Sequence, residues 1–159
     1  MRTLVLVVIL VLVIPASGQK AWKTFTGAWF AIDYPPEFTA RASQASKSGK
    51  GAESAFFRSR DGNVEFYVFS PQWSGEARDI RPDTARETVS VKEQKNIDGA
   101  VGRLVTILAK DRSYMRVYVE NEENGTKTIT GMKCRDNNEY RKFKPVFERF
   151  RKTLRQFAD

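Results

Sequence analysis

The chain has no histidine and one cysteine in 159 residues. Without histidine there is no Ser-His-Asp triad, no Cys-His nucleophile and no His-containing zinc set. One thiol, Cys134, cannot close an internal disulfide. Its place in the apolar segment TITGMKC reads as a buried free thiol, with pairing to a second chain as the alternative. Also missing are a phosphate-binding P-loop and a dinucleotide glycine pattern. No apolar run reaches the roughly 18 residues of a membrane span; the longest, Leu4 to Ile14, has eleven. What remains for catalysis is carboxylates, lysine and tyrosine. The carboxylates are scattered. Glu65 stands out because it lies in a strongly apolar strand, where a sheet-margin position or pairing with Lys or Arg is the expected role.

The eleven-residue run follows Arg2 and ends at Pro15, and Ala16-Ser17-Gly18 then offers small residues before Gln19. That is the order of an export signal with a cut after Gly18, the alternative being an uncleaved N-terminal anchor. Residues 1–18 are therefore expected to be a signal peptide and residues 19–159 a single domain, secreted or periplasmic. The mature portion would hold 141 residues at net charge +7, against +8 for the whole chain. That is enough chain to bury a core. A basic exported protein meets anionic lipid and polymer surfaces, and export disfavours nucleic acid as a partner. Asn124-Gly125-Thr126 matches a glycosylation sequon, meaningful only in a glycosylating host.

The remaining pattern is strands followed by one helix. Trp22 to Pro35 reads as strand, stopped at Tyr34-Pro35-Pro36 because proline cannot donate to a ladder. Arg41 to Ser54, rich in Ser, Gly and Lys, reads as a mobile surface loop. Ser54–Arg60 and Val64–Ser70 flank Asp61-Gly62-Asn63 as a hairpin. Val64, Phe66 and Val68 alternate with Tyr67 and Phe69, as expected for a strand covered on both faces. Thr84 to Lys95 fits a helix or an extended segment. Further strands are expected over Gly99–Lys110, Tyr114–Glu120 and Thr126–Arg135. Tyr140, Phe143, Phe147, Phe150, Leu154 and Phe157 recur every three or four residues, one face of a C-terminal helix. Pro145 inside the pattern implies a helix start near that residue or a kink there. The fold class is α+β, an antiparallel sheet with a packed C-terminal helix.

Two surfaces are candidates for contact. The first is SPQWSG, Ser70 to Gly75, where Pro71 and Gly75 frame Trp73 at the end of a buried strand. Trp73 can fold back as a lid on the core edge or stand out to meet a partner. Gln72, Arg78 and Arg81, with Tyr34 at the end of a neighbouring strand, would complete an aromatic and basic rim. The second is the basic outer face of the C-terminal helix, with Arg149, Arg151, Lys152 and Arg155, suited to anionic lipid or polymer.

Three stretches together resemble PsbP-like domains. AWFAIDYPPEF is similar to their opening strand, FFRSRDGNVEFYVFS to the next hairpin, and TITGMKC followed by YRKFKPVFERFRKTLRQF to their closing strand and helix. The resemblance covers most of residues 22 to 157 and implies an α-β-α sandwich around an antiparallel sheet. It also implies a non-enzymatic binding or assembly module; the plant members serve photosystem II. From the residues themselves, no cofactor or metal is expected. No functional residue transfers, because no motif match is specific enough. The expectation is a monomeric module that binds an envelope protein or a small ligand. The alternative is a peripheral binder of anionic membrane or polyanion.

Overall fold

The computed structural model describes residues 21–48, 50–73, 75–97, 100–123 and 125–157. The signal segment, and Asn124 of the sequon, lie outside the described residues. Among the described residues, ten strands and one helix follow in the order β1 (Lys23–Thr26), β2 (Phe30–Tyr34), β3 (Thr39–Ala42), β4 (Ser54–Arg58), β5 (Glu65–Phe69), β6 (Glu87–Ile97), β7 (Ala100–Ala109), β8 (Met115–Glu123), β9 (Thr126–Cys134), α1 (Asn137–Lys152) and β10 (Arg155–Gln156). A large antiparallel sheet has the order β3-β4-β5-β9-β8-β7-β6, and a small one the order β1-β2-β10.

Alternation along β5 separates two cores. Phe66 and Val68 join Phe57, Met132, Cys134, Phe147 and Phe150 under α1 and the small sheet. Tyr67 and Phe69 join Ile80, Val105, Ile107, Tyr118 and Ile129 on the opposite face. Phenylalanines dominate the first core: Phe66 meets Phe150 at 5.1 Å and Phe147 at 5.4 Å, and Phe57 meets Phe150 at 5.2 Å. The opposite face is covered by the chain from Gly75 to Glu87, which contains a single 3-10 turn, Arg78–Ile80. The thiol of Cys134 is buried as expected, and burial pushes its pKa up to about 11.

Several elements differ from the sequence reading. Trp22 to Pro35 is a hairpin and not one strand, because Gly27 turns the chain and its amide donates to the Phe30 carbonyl at 2.8 Å. A Cβ at Gly27 would overlap the Phe30 ring, so glycine is what permits that turn. The ambiguous segment after Thr84 is strand β6, paired along β7 from Glu87↔Ala109 to Gln94↔Gly102. Its Thr88, Val89 and Val91 are β-branched, which suits a pleated surface better than a helix. The helix begins at Asn137, well before Pro145. Asp136 caps it by accepting from the amides of Asn138 and Glu139, both at 2.9 Å, and Glu139 accepts from the Arg135 amide at 3.0 Å. It ends at Lys152, so Leu154 and Phe157 lie beyond it, and Arg155 belongs to β10.

Gly131 in β9 lies in register between Tyr67 of β5 and Tyr118 of β8. A Cβ there would fall on the Tyr118 ring. The missing side chain lets Tyr118 lie over β9 and meet Tyr67 edge-on at 6.0 Å. Gly131→Ala is expected to destabilise the fold by about 1–3 kcal/mol through overpacking. A lower urea midpoint at unchanged slope is the expected observation. An unchanged midpoint would mean that the ring yields without cost.

Candidate functional site

The chain leaves β5 through Ser70, whose amide donates to the Glu53 carbonyl at 2.8 Å, and Pro71, which is buried. Gln72 and Trp73 follow. Gly75 then comes so close to Phe69 and Pro71 that a Cβ would lie 3.1 Å from the Phe69 ring and 3.3 Å from Pro71. The turn is thus pinned at both ends, and Trp73 stands outward with 71% of its surface exposed. It does not close over the core as a lid.

Trp73 borders a cleft of about 530 Å³. The facing wall is the segment before β4. Its glycine- and serine-rich sequence reads as a mobile loop, yet backbone bonds tie it down: Ser43 amide to Ser54 carbonyl at 3.0 Å, Glu53 amide to Gln44 carbonyl at 2.8 Å, and Ser46 amide to Gly51 carbonyl at 3.0 Å. Ala45 and Ala52 form an antiparallel bridge. The first hairpin supports this wall, with the Ala28 amide donating to the Ala52 carbonyl at 2.8 Å and the Trp29 indole NH to Ser46 Oγ at 3.1 Å. Gln44 closes one end: its amide NH₂ donates to the Glu76 carbonyl at 3.1 Å and its oxygen accepts from the Arg78 amide at 3.0 Å. Within the cleft lies Glu53, only 7% exposed, whose carboxylate accepts from Ser46 Oγ at 3.3 Å.

Of the five residues expected to form a rim, the structure brings together Trp73, Gln72 and Arg78. Arg81 borders a neighbouring cavity and forms a two-pronged pair with Glu76, at 2.7 and 3.2 Å. That pair holds Glu76 below the usual carboxylate range. Tyr34 is elsewhere, packed 4.9 Å from Phe57 in the helix-side core, because the strand it ends lies in the small sheet. Trp29, Gln44, Ser46 and Glu53 escaped the sequence reading. Trp29 was counted with a strand and the others with a loop, and only the tertiary bridge joins them.

The neighbouring cavity, about 300 Å³, lies on the same sheet face and is built around charge. Glu87 is the centre, its side chain 3% exposed. It receives the Arg116 guanidinium, the Tyr114 hydroxyl at 2.6 Å and the Asp83 amide at 2.7 Å. Burial pushes Glu87 up, but these donors outweigh it and hold the carboxyl below its ordinary range. Asp79 accepts from Ser54 Oγ and from the Tyr67 hydroxyl at 2.7 Å, and burial followed by Asp79 drives the Tyr67 pKa far upward. Burial lifts Tyr118 to about 12 despite Arg116 beside it. Glu65 sits at the sheet margin, in register between Arg58 and Lys133, in keeping with its expected role.

The basic helix face is less continuous than its sequence implies. Arg141, Lys142, Lys144, Arg149 and Lys152 are exposed. Arg149 lies over the Trp22 ring at 4.2 Å. Arg151 turns inward, its side chain 7% exposed and paired with Glu148 at 2.8 Å. Arg155 is paired with Asp33 at 3.1 Å across β2 and β10. Among the described residues no group of three or more Cys, Asp or Glu side chains is placed to hold a metal ion, and no helix is long and apolar enough to cross a membrane.

Two outcomes are expected. Trp73→Ala should change stability by no more than about 0.5 kcal/mol, as an exposed side chain does; a loss of 2 kcal/mol or more by about the same scale would restore the lid role. Glu87 has a lowered folded pKa, so its stabilising contribution is full above the unfolded value of about 4.3 and is lost as pH falls through the folded value. Chemical denaturation at a series of pH values should therefore show a shallower acid loss in Glu87→Gln than in the parent. Parallel curves would remove Glu87 from the acid response.

No family model matches the chain, and no curated protein matches it. Among solved structures, the solution structure of cyanobacterial PsbP (CyanoP) from Synechocystis sp. PCC 6803 superposes with a TM-score of 0.54 at 10% identity, covering 91% of this chain and 97% of that one. At that identity the likeness concerns the fold. The large antiparallel sheet, the C-terminal helix packed on one face and the strand order described above make this a PsbP-like α+β fold.

Proposed function

We propose that this chain is an exported, non-enzymatic binding module that meets an envelope protein or a small ligand through the Trp73 cleft. The observation that carries the reading is the exposed Trp73, fixed between buried Pro71 and tightly packed Gly75 at the mouth of a preformed cleft. A tryptophan held out on a fixed loop is suited to anchor a contact. The export component rests on Arg2, the Leu4–Ile14 run and Ala16-Ser17-Gly18. The non-enzymatic component draws on the sequence, which has no histidine and neither a P-loop nor a dinucleotide glycine pattern. The PsbP-like fold is compatible with a binding role.

A second reading is favoured by the exposed Arg141, Lys142, Lys144 and Lys152 on α1: peripheral attachment to anionic lipid or polymer. Photo-crosslinking in native envelope separates the two, with the probe at position 73 and, separately, at position 152. The expected result is a discrete adduct at 73 that persists in high salt. Lipid or polymer adducts confined to 152 and lost with salt would replace the cleft reading with surface attachment.

A further inference from the structure

We propose that the Trp73 cleft takes a carbohydrate, with a sugar ring stacked on the exposed indole and its hydroxyls bonded to Glu53 and the polar walls. This inference rests on the cleft being the contact surface and names the chemistry of what enters it.

The cleft pairs one broad apolar face with a lining rich in both donors and acceptors. Trp73 supplies the face, and Ser46, Ser48, Gln72 and Glu53 supply the polar atoms. A sugar ring has the same division: C–H groups on one face and hydroxyls, each donor and acceptor, around the edge. Aromatic rings with a positive edge and a negative face attract such C–H groups.

Glu53 is the sharper argument. A carboxylate has about four lone-pair positions. Glu53 is 7% exposed, and among the described residues its carboxylate accepts from Ser46 Oγ at 3.3 Å. That hydroxyl lies 2.9 Å from Ser48 Oγ, and either oxygen can donate to the other. Its lone pairs already accept from the Trp29 indole NH and the Ser48 amide. Lone pairs of the carboxylate therefore remain open at the cleft lining, where the hydroxyls of a ligand can take the place of water. Sugar hydroxyls are such donors.

Charge excludes the rivals. Lys47, Arg78 and Glu53 line the cleft and Glu76 is taken up by Arg81, so its walls carry both signs without a concentrated charge for a polyanion or a cation. A quaternary ammonium would meet two cations beside its carboxylate. A proline-rich peptide presents mostly carbonyl acceptors and leaves Glu53 unmet. The volume, about 530 Å³, suits a short oligosaccharide.

The test exposes the purified chain to an array of neutral and amino-sugar oligosaccharides, among them chitotetraose, cellotetraose and maltotetraose, and to insoluble peptidoglycan. Binding is then titrated by native tryptophan fluorescence. The expected result is saturable, salt-insensitive binding to at least one glycan, weakened about tenfold or more by Trp73→Ala. Glu53→Gln should weaken it as well, with thermal unfolding followed alongside; the exposed Trp73 variant keeps the test sound if the buried one misfolds. No glycan binding, or binding indifferent to Trp73→Ala, overturns the proposal. Binding of tetramethylammonium or a proline-rich decapeptide in place of sugar overturns it too. A protein adduct at position 73 without glycan binding sinks the carbohydrate and leaves the cleft as a contact surface. The absence of any adduct there sinks both.

Discussion

The buried pair of Glu87 and Arg116 organises one whole side of this molecule. Glu87 opens β6 and Arg116 lies on β8, so the pair spans the strand between them. Arg116 also donates to the Ile80 carbonyl and the Tyr118 hydroxyl, both at 3.1 Å, and Glu87 accepts from the Asp83 amide. Those bonds lay the segment from Gly75 to Glu87 across the sheet. Two charges out of water gain little over an apolar pair, but removing one leaves the other stranded at about 3–5 kcal/mol. The pair is thus better understood as a fastening than as a source of net stability. Its effect reaches the cleft, because the same segment carries Glu76 and Arg78, which Gln44 clasps from the opposite wall.

Stability comes mainly from the other face. Phe30, Phe57, Phe66, Phe147 and Phe150 are essentially without solvent contact. Each buried ring removes about 1.5–3 kcal/mol worth of apolar surface from water. Their edge and tilted contacts hold α1 in a fixed seat. Thr153 just past the helix then accepts from the Asp33 amide at 2.9 Å and leads into β10, closing the small sheet. One face is an aromatic core with little polar content, and the other is a charged and hydroxylated one. The cleft belongs to the polar side, where Ser54 and Tyr67 meet Asp79.

Patterns with a local cause were legible before the structure. The alternation of Phe66 and Val68 against Tyr67 and Phe69 placed β5 in the middle of a sheet with two covered faces. Asp61-Gly62-Asn63 marked its hairpin, and Gly62 has the positive φ, 74°, that such turns need. The aromatic spacing in the last twenty residues marked α1. Its start was misplaced because Pro145 outweighed Asp136 and Glu139, although an Asp followed three residues later by Glu is a cap signature. The hairpin at Gly27 and strand β6 were missed or left open because their pairing partners are set by tertiary contact. The cleft was half legible. Trp73, Gln72 and Arg78 announce themselves beside Pro71, whereas Glu53 and Trp29 reach the same place through a bridge between Ala45 and Ala52 that no local pattern encodes.

Trp73 is the most exposed of the large apolar side chains among the described residues. Six phenylalanines among the described residues are wholly buried, yet the largest side chain type the chain possesses stands in water at the rim of a cleft. Packing does not force this outcome. The turn around it is held by Pro71 and by the close approach of Gly75 to Phe69, so the backbone is fixed with the indole outside. The cost of hydrating that ring is borne by the folded state continuously, while Glu53 nearby keeps carboxylate lone pairs that Ser46 alone does not fill. An exposed indole and a carboxylate in one cleft suit the same kind of ligand, one with an apolar face and a hydroxylated edge. Natural folds tolerate such local conflicts chiefly where something else resolves them.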